Sequence, residues 1–314
     1  MLAIVTMGLR ERAPALYREL KSFEQGVAFA RWRIKNLPRV MRHRFSPLNG
    51  CGTPDIVEEL RREGIAIQPF QQVIQGGAPL LEEVSVHAHR LWEEARRRSE
   101  RTDQPSGAVR GGYGRKDYKI PLLTPQLSLD DPFIRLAMDP RILIPVNRYL
   151  GMRSLLRAVE LWWDRPTNSP AKETQLWHRD GDDLMNVKVF LYFTDVDLET
   201  GPFCFLPRTH PRGPRRSVAP ERDAQGRTTD EQMARLLPPS EWRVCTAPAG
   251  TMIFCDTCGY HKGLKPTRNE RLMLMMQYTS ATPRYPRELQ VLGQAEGELS
   301  SIQREALAPL LTPS

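Results

Sequence analysis

The sequence predicts a mainly β core with α elements: a jelly roll, or double-stranded β-helix, behind a helical N-terminal half. Two observations predict it. From about residue 155 the chain changes into short apolar and aromatic runs separated by Pro and Gly, at 155–164, 174–178, 185–194, 202–206, 242–247, 250–255, 260–263 and 271–279. Roughly eight strands at this spacing suit a barrel or sandwich, and eight strands in two sheets suit a jelly roll. Before residue 155, apolar positions recur instead at helical spacing.

Taken in order, residues 11–21 and 25–36 read as helices, and 47–54 as a turn-rich break. Thr53 can cap a helix that has Pro54 at its first position and stops at Gly64. Residues 65–74 read as a short strand, and Pro69 marks it as an edge. A long helix follows over about 80–101. His87 and His89 lie two apart on it, face different sides, and make poor co-ligands. Residues 102–121 form a polar, Gly-rich loop whose glycine spacing matches no phosphate-binding fingerprint. It is either a solvent loop or an active-site loop offering Tyr113, Lys116 or Lys119 to an anion. Two short helices broken around Asp139-Pro140 lead into the core. An insertion over about 211–241 interrupts the strands, and the tail beyond Ala281 is weakly helical at 296–309.

Composition narrows the function classes. Hydrophobic content of 40% and charged content of 26% are ordinary for a globular protein. No apolar run reaches the roughly 20 residues that span a bilayer. Met1–Leu9 is apolar but short and lacks the flanks of a secretory leader, so none is expected. Five scattered cysteines, at 51, 204, 245, 255 and 258, point to a reducing cytoplasm and not to a disulfide framework. The net charge of +8 is concentrated at the start: residues 1–50 hold ten Lys/Arg against three Glu. That segment reads as a basic helical extension of a 51–314 domain. It is either a solvated helix face or a peripheral surface for an anionic partner such as acidic lipid. Trp32, Ile34, Leu37 and Met41 hint at an interfacial helix, and Pro38 breaks the pattern. No nucleic-acid module is legible.

The chemistry centres on Gln175-Leu-Trp-His178-Arg-Asp180-Gly-Asp182-Asp183. On a strand, positions two apart share a face, so His178 and Asp180 can reach one point. His261 lies 83 residues further on. Two histidines and a carboxylate can hold non-haem Fe(II) on one face and leave positions open for substrates. Cys255-x-x-Cys258-x-x-His261 permits a zinc site, although no second ligand cluster is visible. Buried core cysteines are the plainer reading.

The flanking residues carry a resemblance. Between the two ligand clusters stands Glu199-Thr-Gly201-Pro202-Phe-Cys-Phe-Leu-Pro207-Arg208-Thr209-His210, and Arg271 follows His261 by ten residues. This order resembles the phytanoyl-CoA dioxygenase family of Fe(II)/2-oxoglutarate oxygenases, over roughly residues 155–282. The family has Gly-Ser where Arg208 and Thr209 stand here.

The resemblance implies a cupin-like jelly roll with Fe(II) on His178, Asp180 and His261. It also implies 2-oxoglutarate and O2 as co-substrates. A buried guanidinium suits the distal carboxylate of 2-oxoglutarate, which points to Arg271, with Arg268 as the fallback and Thr251 and Asn186 lining the pocket. The expected reaction is hydroxylation of an unactivated C–H of a small molecule, with succinate and CO2 released. Desaturation, cyclisation or epimerisation stay open. His210 is expected in a structural or rim role, and Asp182 and Asp183 as loop carboxylates. The expected assembly is a monomer or homodimer. Two other classes stand beside this one: a non-catalytic jelly-roll binding protein docked by its basic N-terminus, and a zinc protein using Cys255, Cys258 and His261.

Overall fold

A computed structural model describes residues 14–47, 54–101, 117–285, 289–293 and 298–308. Cys51, Thr53, Tyr113 and Lys116 lie outside the described residues.

The chain opens with helices α1 (Pro14–Lys35), α2 (Leu37–Arg44) and α3 (Pro54–Glu63). Strand β1 (Ile65–Pro69) is followed by one helical turn, α4 (Phe70–Val73), and the long α5 (Ala78–Arg101). Short strands β2 (Lys119–Pro121) and β3 (Gln126–Ser128) precede α6 (Pro132–Ala137) and α7 (Pro140–Leu150). Asp131 and Asp139 cap these two helices, accepting from the backbone N–H of Phe133 and Arg141 at 2.8 Å each. Gly151, at φ 71°, ends α7 in the left-handed conformation that costs glycine little.

The core strands are β4 (Leu155–Asp164), β5 (Val187–Tyr192), β6 (Phe203–Phe205), β7 (Arg243–Val244), β8 (Thr251–Asp256), β9 (His261–Gly263) and β10 (Arg271–Thr279). α8 (Asp230–Ala234) lies in the insertion, and β11 (Gln290–Leu292) and α9 (Ser301–Leu307) close the chain. The major sheet runs β1-β8-β5-β10-β4-β2 with antiparallel neighbours. The minor sheet runs β7-β6-β9. These two sheets form the jelly-roll core, with helices added to it.

Alternation along β10 shows how the layers form. Leu272, Leu274, Met276 and Tyr278 join the cluster that packs the major sheet against the helices. Met273 and Met275 point the other way, into a second cluster with Phe190, Phe203 and Ile253 between the two sheets. Both faces are buried, so the strand reads as a nearly unbroken apolar run. Arg271 and Gln277 share the inner face by the same period of two.

Several expectations need correction. Helix α1 is continuous across residues expected as two helices. The strand expected over 65–74 ends at Pro69, but β1 does sit at the edge of its sheet, where a missing N–H is tolerated. Residues 119–121, expected as loop, add β2 to the edge strand position beside β4. The stretch 174–178 is not a strand: it starts in a 3-10 turn and then makes single bridges, Trp177 to Thr228 and His178 to His261 on β9.

Candidate metal centre

Two segments build the site. His261 opens β9, and β9 pairs with β6 so that Phe205 lies opposite His261 and Phe203 opposite Gly263. On the other edge of β9, His178 N–H donates to His261 O at 3.0 Å, and His261 N–H donates to His178 O at 2.9 Å. That reciprocal pair fixes the two histidines side by side, with ring centroids 4.2 Å apart. Asp180 is held two residues on by its own N–H, which donates to Thr257 O at 2.9 Å.

The donor atoms of His178, Asp180 and His261 all lie within 4.8 Å of one another. Nε2 of His178 is 3.8 Å from Asp180 Oδ1, and Nε2 of His261 is 3.7 Å from Asp180 Oδ2. Both imidazoles are oriented from behind. His178 Nδ1 lies 2.9 Å from Leu176 O, and His261 Nδ1 lies 3.0 Å from Gly259 O. Each Nδ1–H can donate to its carbonyl, which leaves both Nε2 lone pairs facing the carboxylate.

The charge states suit a divalent ion. Burial holds His178 well below the ordinary imidazole range, with His261 adding to the effect. Burial also lowers His261, against the pull of Asp180. Burial would raise Asp180, but the charge of Lys188 beside it outweighs that and holds the acid well below the usual carboxylate range. Two neutral imidazoles and one ionised carboxylate are the ligand forms that a metal requires. Asp180 Oδ2 is buried without an aligned hydrogen-bond donor, although Lys188 Nζ lies 2.8 Å away. The mixed nitrogen and oxygen donor set fits non-haem Fe(II).

Arg271 opens β10 of the facing, major sheet and is buried like His178 and His261. A β-carbon built on Gly263 would lie 3.6 Å from its Nη2. Gly263 is two residues along β9 from His261, about 7 Å by strand rise. The guanidinium is already engaged: Nη2 donates to Asp164 Oδ2 at 2.9 Å, Nε to the same oxygen at 3.3 Å, and Nη1 to Gly201 O. Burial would lower its pKa, but Asp164 beside it holds it above the ordinary value. Gly201 is at φ 74°, and a β-carbon there would clash with Leu264 O. Only glycine lets the Gly201-Pro202 turn present its carbonyl to Arg271.

The other expected residues fall as follows. Thr251 faces inward from β8, with its hydroxyl donating to Pro248 O at 2.8 Å. Asn186 is fully buried between Thr257 Oγ1 and Gln277 Nε2, at 3.0 and 3.1 Å. Arg268 lies at the exposed surface, 3.1 Å from Glu199. Lys119 places its ammonium 4.3 Å from the centre of the Trp162 ring. His210 is buried against α3, with Nε2 3.2 Å from Arg61 O. Asp182 pairs with Arg157 at 3.2 Å, and Asp183 accepts from Trp32 Nε1 at 2.7 Å.

Cys255 and Cys258 do not join His261 in a ligand cluster among the described residues. Burial pushes both thiols well above their ordinary range, away from the thiolate that zinc needs. Sequence reasoning missed Lys188 and Asp164. The signal for Lys188 was available: a lone charge at an inward position of an otherwise apolar strand.

The phytanoyl-CoA dioxygenase (PhyH) family model matches residues 50–267, which include His178, Asp180 and His261 and stop just short of Arg271. No curated protein matches the chain. Among solved structures, it is similar to the non-haem α-ketoglutarate-dependent epimerase SnoN from nogalamycin biosynthesis. Identity is 20%, covering 74% of this chain and 85% of that one, with a TM-score of 0.48. HygX from Streptomyces hygroscopicus, with nickel and 2-oxoglutarate bound, shares 18% identity over 76% of this chain and 90% of its own, at 0.47. EctD from S. alaskensis with bound Fe shares 15% over 80% and 87%, at 0.49. At such low identity the assignment rests on the family match, which spans well over half of the sequence and the whole triad, and by it the chain belongs to the phytanoyl-CoA dioxygenase family.

Proposed function

We propose that this protein is an Fe(II)- and 2-oxoglutarate-dependent oxygenase that hydroxylates an unactivated C–H of a small molecule. The observation that carries this reading is the convergence of three donor atoms within 4.8 Å, both imidazoles aimed by backbone carbonyls. Bound iron, with 2-oxoglutarate and O2, supplies the oxidising chemistry and yields succinate and CO2 from the co-substrate.

The chain's own residues supply the rest. His178, Asp180 and His261 would hold the ion, and a set of three protein ligands leaves room for the co-substrate and O2. Arg271 offers the far carboxylate of the co-substrate a guanidinium fork of five N–H groups; three of them already meet Asp164 and Gly201. Phe190, Phe203, Met273 and Met275 are buried together between the two sheets, and an apolar surround of this kind strengthens the polar contacts beside it. The free thiols of Cys204, Cys245, Cys255 and Cys258, all buried, support a reducing compartment such as the cytoplasm.

The test is oxygen-dependent succinate formation from 2-oxoglutarate with added Fe(II), across a broad panel of small molecules. Turnover that is lost in Asp180→Ala supports the reading. Absence of 2-oxoglutarate dependence across the panel, with iron demonstrably bound, would overturn it.

A further inference from the structure

We propose that the face formed by α1 and α2 is a docking surface for an anionic phospholipid bilayer. The two helices are separated by Asn36 alone. One side of the pair is anchored in the body of the protein. Trp32 Nε1 donates to Asp183 Oδ1 at 2.7 Å and to Ser280 Oγ at 3.0 Å. Asn36 Nδ2 donates to Thr282 Oγ1 at 2.9 Å, and Val40 is buried beside them.

The opposite side carries Phe23, Ile34, Leu37, Met41 and Phe45, which are 38–74% exposed. At 3.6 residues per turn Phe23 and Ile34 share one face of α1, about 20° apart, and Leu37 and Met41 share one face of α2, about 40° apart, with Phe45 at its C-terminal end. Scattered exposed apolar residues are ordinary, but Ile34, Leu37, Met41 and Phe45 stand exposed within twelve residues where the two helices meet, and such a concentration marks an interaction site. Basic residues flank it on both sides: Arg31, Lys35 and Arg42 along one edge, Arg33 and Arg44 along the other, all exposed. No acidic residue occurs in the sequence between Glu24 and Asp55.

The flanking charge favours a lipid surface over a protein partner. A bilayer interface presents anionic headgroups directly above an apolar layer, and an in-plane helix meets both at once. The long basic side chains can lay their stems along the stripe and place their charges in the headgroups. A protein partner would instead need an apolar patch bordered by acidic residues on both sides to match these five cations, an arrangement that an anionic bilayer presents everywhere on its surface. Docking in this way would hold the jelly roll at the membrane surface without a spanning segment; no helix among the described residues is long and apolar enough to cross one.

The test is co-sedimentation of the full chain with phosphatidylcholine vesicles, with and without phosphatidylserine. The protein should pellet with the anionic vesicles and stay in solution with the neutral ones, and added salt should release it. The combined Ile34→Ser, Leu37→Ser, Phe45→Ser variant should lose at least about tenfold in partition. The Arg42→Gln, Arg44→Gln variant should lose about fivefold per charge removed, and it decides the matter if the apolar variant loses its circular-dichroism spectrum. Equal pelleting with both vesicles, none with either, or unchanged pelleting of both variants would overturn the proposal. So would a wild-type dimer in sedimentation velocity that the apolar variant dissociates, because the stripe would then belong to a second copy.

Discussion

Lys188 places its ammonium 2.8 Å from Oδ2 of Asp180, on the inner face of β5 and beside the two histidines. Burial would lower its pKa, but Asp180 and Asp182 outweigh that and hold it above the ordinary value, so it is charged. A divalent ion on the triad must share Asp180 with this cation. Lys188→Met therefore removes the partner of a buried carboxylate and should cost the metal-free protein roughly 3–5 kcal/mol. The same change removes a repulsion and should increase the stabilisation gained on adding metal. Thermal unfolding with and without Co(II) measures both. Equal metal-induced shifts in the two proteins would show that Lys188 and the metal do not compete.

Asp164 stands to Arg271 much as Lys188 does to Asp180. If the co-substrate's carboxylate joins the same guanidinium, it meets a like charge at Asp164. Asp164→Asn should lower stability without ligand, by leaving the buried guanidinium under-compensated. It should tighten 2-oxoglutarate binding by about fivefold, on the order of 1 kcal/mol of repulsion removed. Calorimetric titration of the metal-loaded protein reads the affinity. Weaker binding in Asp164→Asn would mean that the aspartate positions the fork instead of opposing its ligand.

Arg208 adopts φ 70° where related sequences are expected to carry glycine. A non-glycine residue in this region costs roughly 1–2 kcal/mol. The ion pair to Glu63 Oε2, at 3.4 Å and half-exposed on the Arg208 side, offsets little of it. Arg208→Gly should raise unfolding stability by about 1 kcal/mol, checked by urea denaturation. A loss of stability would assign the Glu63 pair a larger role than its exposure allows.

Burial lowers the pKa of His210 to about 4, against an ordinary value of about 6.5. Its Nδ1 is buried without a partner, so a second proton has no acceptor there. The unfolded chain then binds the proton more readily than the native one between those values. Stability from this group is present above about pH 6.5 and is lost as pH falls toward 4. His43, lowered to about 4 by burial and by Arg153 and Arg148, adds a slope of the same sign. His210→Gln should flatten the fall in stability between pH 7 and 5. An unchanged slope would show that His210 is protonated in the native state.

The parts of this molecule that are local in sequence were legible, and the parts that depend on register were not. His178 and Asp180 are two residues apart, and Pro69 announces an edge strand by its missing N–H, so both could be read directly. The reason offered for the first was incomplete: the two side chains converge on an extended segment held by one bridge to His261 and by the bond from Asp180 N–H to Thr257, not on a strand. Arg271 could be singled out as a buried cation. Asp164 could not, because their pairing follows from the register of β10 against β4 across 107 residues of sequence. Strands β2, β3 and β11 have three residues each, too short to show alternation. The apolar stripe on α1 and α2 was visible as composition, but only its docked opposite face shows which side remains exposed.

The most direct test of the central claim is anaerobic titration of the purified chain with Fe(II), or Co(II) as its spectroscopic substitute. Wild-type protein should bind one equivalent, and His178→Ala, Asp180→Ala and His261→Ala should each abolish that binding while keeping the wild-type circular-dichroism spectrum. Metal bound equally well by any of the three variants, or by none of the four proteins, would contradict the account.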